Sequence, residues 1–345
     1  MMRSVPKVLL IVALVAALAA VGLAAGCGDE GTSASASPSA SPAVDKTQPF
    51  KIGISQFVTH PALDATVEGF KAALAEAGFT SITYDVQNAQ ADMATTSTIA
   101  QKFAGEGDLD LILTVATPSS QAVVKAVTTT PIVFSAVTDP VGSGLVADAE
   151  APGANVTGVS DMQPVEPILA LVKQLKPDAK TVGAIYSAGE ANSVFLVNAE
   201  KELAASMGLE IIEATAGTPA EVQAAAQSLI GRVDAITTIG DNTAATALES
   251  IVKVCEENGI LLLAGDPDSV ERGAAAGYGF DYTTVGKEAG MVAAQILSGM
   301  PIANVPVVFV GDKPENLQLS INEKAAAAQG VTIPADLLSE AVNKF

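Results

Sequence analysis

One histidine, His60, serves the whole chain of 345 residues, and there is no tryptophan. A zinc-type site draws on several His, Cys, Asp or Glu ligands, and a lone histidine with two distant cysteines does not supply them. No metal is therefore expected. Cys27 and Cys255 are the two cysteines. Cys27 ends an apolar leader and Cys255 sits in the helical run ALESIVKVCEEN, so an internal disulfide is excluded and Cys255 reads as a small buried thiol. Basic residues are also scarce: 18 Lys and Arg stand against 38 Asp and Glu, a formal charge of −20. Phosphate binding needs clustered cations, so a nucleic-acid partner is excluded and the acidity reads as a solvated surface. No G-x-S-x-G nucleophile elbow occurs, and no G-x-G-x-x-G opens a helix after the first strand. Gly286-Lys287 looks like the end of a phosphate loop, but Glu288 follows it and Asp281 stands where that loop has its first glycine. No cofactor, catalytic residue or enzyme activity is expected.

The start of the chain is strongly patterned. Arg3 and Lys7 precede the unbroken apolar run VLLIVALVAALAAVGLAA at 8–25, the layout of a secretory signal. Ala24-Ala25-Gly26-Cys27 resembles the bacterial lipoprotein signal, with Ala24 where that signal usually carries Leu, Val or Ile. The resemblance implies cleavage after residue 26 and a lipid on Cys27 that holds the protein outside the cell membrane. Residues 27–49, rich in Ser, Ala and Pro, read as a flexible tether.

From Phe50 onward β-branched runs alternate with amphipathic ones, the pattern of βαβ units and a parallel sheet. Strands are expected at 51–57, 81–86, 109–116 and 131–137, with helices at 62–77, 91–104 and 118–128 between them. The second half repeats this order. KIGISQF (51–57) is echoed by TVGAIYS (181–187), LDLILTVAT (109–117) by VDAITTIGD (233–241), and the Asp-Pro of 139–140 by that of 266–267. Gly53 to Gly78 and Gly183 to Gly208 have the same spacing. The fold class is α/β: two similar doubly wound parallel-sheet lobes joined by a hinge. The first lobe is expected to hold residues 50–159 with about 283–314, and the second 160–282 with about 315–345. Ligands of such sheets gather beyond the carboxyl ends of the strands, so facing lobes would share one cleft.

HPALD, QNAQ, ATPSSQ, FSAVTDPV, NVTGVSDM and Y-S-x-x-E-A-N-S, spread in order between residues 50 and 334, carry a resemblance to a known family. The chain resembles the ABC-transporter substrate-binding lipoproteins of the tryptophan/tyrosine/phenylalanine-binding family, which have the type I periplasmic-binding-protein fold. The resemblance implies a hinged binding protein that delivers a small ligand to an ABC permease and its ATPase.

The strand-end loops suggest what that ligand is. Thr117 reads as an N-cap with Pro118 at the first helical position, so the N–H groups and hydroxyls of Ser119 and Ser120 would offer a carboxylate site. Thr138 and Asp139 can add a hydroxyl and a carboxylate. In the second half the matching positions are Asp241-Asn242 and Asp266, suited to an ammonium group, although either aspartate also suits a plain helix cap. Asn192 and Ser193 offer further polar contacts. Donors on one lobe and acceptors on the other describe an α-amino-acid clamp. Phe57 is expected to turn its ring to the ligand side chain, with Phe134, Tyr186 and Tyr278 as weaker choices. His60-Pro61 forms the turn into the first helix, and His60 shapes that loop or touches the ligand. A sugar or nucleoside carrier of the same fold is the alternative, although sugar sites usually stack on Trp or Phe among arginines, and past Arg3 this chain has Arg232 and Arg272 alone. A membrane-tethered sensor without transport fits the same chain.

Overall fold

The structure, a computed structural model, describes residues 44–345. The expected leader, Cys27 and most of the expected tether lie outside the described residues.

The first sheet is built from β1 (Phe50–Gln56), β2 (Ile82–Asn88), β3 (Leu111–Val115), β4 (Ile132–Val137) and β5 (Val156–Ser160). LILTV and IVFSAV are buried at every position, as strands covered on both faces must be. Helices α1 (Pro61–Glu76), α2 (Met93–Gly105) and α3 (Thr117–Ala126) connect them. In α1 the buried Leu63, Val67, Phe70 and Leu74 recur at three- and four-residue steps, the apolar stripe of a helix lying on a sheet.

The second sheet follows the same plan. Its elements are α4 (Val165–Leu175), β6 (Thr181–Tyr186), α5 (Ala191–Ala204), β7 (Glu210–Thr215), α6 (Val222–Ser228), β8 (Ala235–Thr238), α7 (Asn242–Thr246), α8 (Leu248–Asn258), β9 (Leu261–Ala264), α9 (Pro267–Glu271) and β10 (Ala276–Gly279). The chain then returns to the first sheet with α10 (Tyr282–Leu297) and β11 (Val308–Phe309). It goes back to the second with β12 (Gln318–Ile321), α11 (Glu323–Ala328), α12 (Ala335–Glu340) and β13 (Asn343–Lys344). Strand order is β11-β5-β4-β3-β1-β2 in one sheet and β13-β12-β10-β9-β8-β6-β7 in the other. All pairings are parallel except β10 with β12. The chain thus crosses between sheets three times, after β5, after β10 and after β11.

The sequence repeat has a structural counterpart. Asp110, one residue before β3, accepts from the Lys51 N–H at 2.7 Å. Asp234, one residue before β8, accepts from the Thr181 N–H at 2.9 Å. Each aspartate ties the entrance of its strand to the first strand of its own lobe. The return of α10 is secured differently. A Cβ at Gly286 would stand 2.1 Å from the Thr66 carbonyl oxygen, and one at Gly69 would stand 2.3 Å from that of Thr283. The α1 and α10 backbones touch, and the glycine of the apparent phosphate loop is a packing residue.

Helix α5 turns Glu200, 2% exposed, into the second lobe, where its Oε1 has no hydrogen-bond partner. Burial lifts its pKa from the usual 4.5 to about 7. The protonated form is the one the fold prefers, so its contribution is complete below about pH 4.5 and is lost as pH rises through 7. A shift of this size corresponds to at most about 3 kcal/mol. Thermal unfolding at pH 5 and pH 8 should show the wild type losing stability with rising pH. Glu200→Gln should lose less and melt above wild type at pH 8; parallel profiles for the two proteins would reject this account.

Candidate functional site

The carboxyl ends of both sheets meet around a small cavity of about 30 Å³. On the first lobe the loop after β1 is pinned by Gln56, whose amide donates to Asp64 Oδ1 at 2.6 Å and to the Val58 carbonyl at 2.8 Å. His60 then occupies the N-cap position of α1 with extended backbone and no side-chain capping bond, followed by Pro61. Its imidazole is free to face the cavity, and Nε2 has no partner. Burial, helped by Arg272, holds its pKa below 6.5 against the pull of Asp266, the Asn242 side chain and Asp64, so the neutral ring is favoured.

Two alanines with left-handed backbone shape the next strand ends: Ala116 after β3 at φ 76°, and Ala136 near the end of β4 at φ 54°. Such strain in a residue with a Cβ gathers at functional sites. Ala136 lies within a register shift of β4 against β5, a bulge that leaves it and Thr138 on the cavity wall. Ala116 takes the N-cap position of α3, so Thr117 is the first helical residue and not the cap expected from the sequence. Thr117 Oγ1 and Ser119 Oγ are buried without a partner, while Ser120 Oγ pairs with Thr114 Oγ1 at 2.8 Å. These three residues stand behind the wall, not on it.

At the end of β5, Asp161 Oδ2 accepts from the Tyr282 hydroxyl at 2.7 Å, and Oδ1 accepts nothing. Burial raises this carboxyl to about 6, with the Tyr282 bond opposing. Gln163 donates through Nε2 to the Gly265 carbonyl at 2.6 Å, leaving Oε1 unpaired.

On the second lobe two buried carboxylates share the start of α7. Asp241 caps it through the Ala244 N–H and also accepts from the Ser187 N–H at 2.7 Å and Ser193 Oγ at 2.6 Å. Glu190 accepts from Thr243 Oγ1 at 2.7 Å and from the Asn242 amide at 2.5 Å. Burial, with Glu190 adding to it, pushes Asp241 up to about 7. Asn192 donates to the Gly240 carbonyl at 2.7 Å, which fixes its amide and leaves Oδ1 unpaired. Asp266 caps α9, accepting from the Ser269 N–H and hydroxyl, each at 2.7 Å.

The cavity wall therefore contains His60, Thr138, Asn192, Asp241, Asn242 and Asp266 of the residues expected from the sequence. Ser193 stands behind Asp241. Asp139 accepts from the Gly142 N–H at 2.8 Å in a turn and borders a neighbouring hollow of about 340 Å³ with Asn192 and Phe195. Phe57 departs from its expected place. Its N–H continues the ladder to the Val115 carbonyl, which turns the ring into the first-lobe core at 1% exposure. Phe134 is likewise core, Tyr278 packs against the second-lobe core, and Tyr186 donates to Glu213. Asp161, Gln163, Thr238 and Tyr282 are wall residues that the sequence reading missed. Asp161 and Glu190 lay inside the quoted motifs NVTGVSDM and Y-S-x-x-E-A-N-S, and a strand assigned to NVTGVS would have exposed the first.

Among the described residues, five buried polar atoms without a partner wall this one cavity: His60 Nε2, Asp161 Oδ1, Gln163 Oε1, Asn192 Oδ1 and Thr238 Oγ1. Buried polar atoms are rarely left unpaired, and three of these are acceptors with no proton of their own. These acceptors are open to hydrogen-bond donors from a molecule in the cavity.

Residues 51–344 match the family described as ABC transporter substrate binding protein. The chain is 37% identical over 323 residues to a tyrosine-binding protein of Clostridioides difficile (strain R20291), covering 92% of this chain and 91% of that one. It is similar to the solved ABC domain in complex with L-Trp from Streptococcus pneumonia, with 33% identity, TM-score 0.82, and coverage of 86% of this chain and all of that one. A ligand-free, open substrate binding protein with adhesive properties from Clostridium difficile has 39% identity and TM-score 0.63, covering 86% of this chain and 99% of its own. With the sheets, the cleft and these likenesses in agreement, the chain belongs to the ABC transporter substrate-binding protein family.

Proposed function

We propose that this substrate-binding protein takes an α-amino acid with an aromatic side chain (Trp, Tyr or Phe) between its lobes and hands it to an ABC permease and its ATPase. The observation that carries the reading is the set of uncommitted acceptors Asp161 Oδ1, Gln163 Oε1 and Asn192 Oδ1 around one cavity. An ammonium group has three N–H donors and a positive charge to match them. Asp161 is the best placed counter-ion. Asp241 and Asp266, the earlier choices, already spend their oxygens on capping α7 and α9. The carboxylate end is assigned to Thr138 on the cavity wall, with the start of α3 behind it, where the helix dipole favours an anion. Leu63, Ala62, Ala136 and Ala245 supply apolar wall for the ring. The names of the relatives, one tyrosine-binding and one in complex with L-Trp, support the class.

The lobes stand closed. The chain superposes better on the L-Trp complex than on the ligand-free open structure, although its identity to the latter is higher. A cavity of about 30 Å³ holds a water or two and no aromatic ring. Entry therefore requires the lobes, 50–159 with about 283–314 and 160–282 with about 315–345, to part about the three crossings. A lipid on Cys27 would keep the body outside the cell membrane beside its permease.

The clamp is tested by titrating tyrosine, tyramine and 4-hydroxyphenylpropionate. Wild type should bind tyrosine and reject both analogues. Asp161→Asn should lose about tenfold to a hundredfold in affinity for tyrosine while remaining folded; equal binding of all three compounds would point to a neutral ligand such as a sugar. Small-angle scattering should show the ligand-free protein contracting on saturation, and an unchanged radius would leave a rigid body. Cys27→Ser should release the protein from membranes or leave its leader uncleaved, whereas unaltered mass and membrane retention would count against the anchor.

A further inference from the structure

We propose that His60 is the specificity-determining residue of the cleft: its uncommitted Nε2 reads a polar atom at the far end of the ligand's ring, so the site selects a hydroxylated aromatic amino acid over its hydrocarbon analogue. This rests on the amino-acid reading above and assigns the opposite end of the same ligand.

The placement follows from strand order. Asp161 leaves the end of β5 and His60 the loop after β1, and β4 and β3 lie between them. Three strand spacings amount to about 14 Å between the chain axes. Both residues line the same cavity, which must widen as the lobes part to admit a ring; a molecule anchored by its ammonium at Asp161 then has room for its side chain on the His60 side. The apolar Ala62 and Leu63, just past Pro61, give that end of the cavity a hydrocarbon wall.

The imidazole is held ready for such a contact. Asp64 already accepts from Gln56 Nε2, and Asp266 from Ser269, so neither carboxylate is committed to the ring; the Asn242 side chain is its polar neighbour, and Nε2 still has no partner among the described residues. His60 makes no capping bond to α1, so its side chain is spared from holding the helix. A neutral imidazole presents one N–H and one lone pair. A phenol both donates and accepts, so it satisfies Nε2 in either tautomer. An indole N–H satisfies it when Nε2 bears the lone pair. A phenyl ring does neither and leaves a buried nitrogen unpaired, the kind of mismatch by which a polar site rejects an analogue lacking its hydroxyl.

The test is a competition titration of tyrosine against phenylalanine, which reads the preference even where overall affinity falls. Wild type should prefer tyrosine by about tenfold to a hundredfold. His60→Leu should bring the ratio to near one, and His60→Gln, which restores a polar group, should recover part of it. Circular dichroism and the melting midpoint establish that both variants are folded. Equal wild-type binding of the two amino acids, or a ratio unchanged in His60→Leu, overturns the assignment of His60 while leaving the amino-acid clamp in place. Failure of wild type to bind any amino acid overturns both.

Discussion

Helix α10 leaves the second sheet and lies on α1 of the first with backbone against backbone at Gly69 and Gly286. Much of the molecule depends on that contact. It carries the chain back across the cleft a second time, and it fixes where α10 begins. Tyr282, the first residue of α10, is thereby set beside Asp161, and Thr66 Oγ1 lies within 3.5 Å of the Tyr282 carbonyl. A side chain at either glycine would drive the helices apart and move the tyrosine with them. The geometry of the ligand site is thus set by packing at some remove from it.

The cleft concentrates negative charge under conditions that disfavour it. Asp161 and Asp241 are buried, their pKa values are raised, and among the described residues neither has a basic side chain within hydrogen-bonding distance. Desolvation without a counter-charge costs free energy, which a bound cation removes. A ligand carrying a cationic group there would offset that cost. The same reasoning explains why capping does so much of the work here. Asp241, Glu190 and Asp266 recover part of their lost hydration from N–H groups at helix starts, and in doing so they hold the strand-end loops in shape.

The fold was legible because its signals are local. Continuous apolar runs gave β1, β3 and β4, and the repeat gave the second lobe. The matching aspartates Asp110 and Asp234 turned out to perform one task twice. Residue β5 onward was harder, since VTGVS mixes glycine and hydroxyls with two valines, and the two-residue β11 and β13 carry no pattern at all. Of the expected site residues, His60, Thr138, Asn192 and the paired Asp241-Asn242 line the cavity, as their places at strand ends suggest. Asp161 is not among those expected, because its meaning comes from Tyr282, 121 residues away. Phe57 goes to the core because the ladder continues through its N–H to the Val115 carbonyl, which the apolar run alone does not reveal. Thr117 was misread as a cap because left-handed Ala116 was not foreseen in that position.

The Tyr282–Asp161 bond joins two of the three segments that link the lobes, since Asp161 begins the first crossing and Tyr282 ends the second. The counter-ion proposed for the ligand therefore sits at the pivot, not at the rim. A lever loaded near its fulcrum turns a displacement of a fraction of an ångström into a wide sweep at the far edge, and it transmits force in both directions. If the lobes part about these segments, the end of a ligand held at Asp161 lies where the two lobes move least against each other, and its far end where they move most.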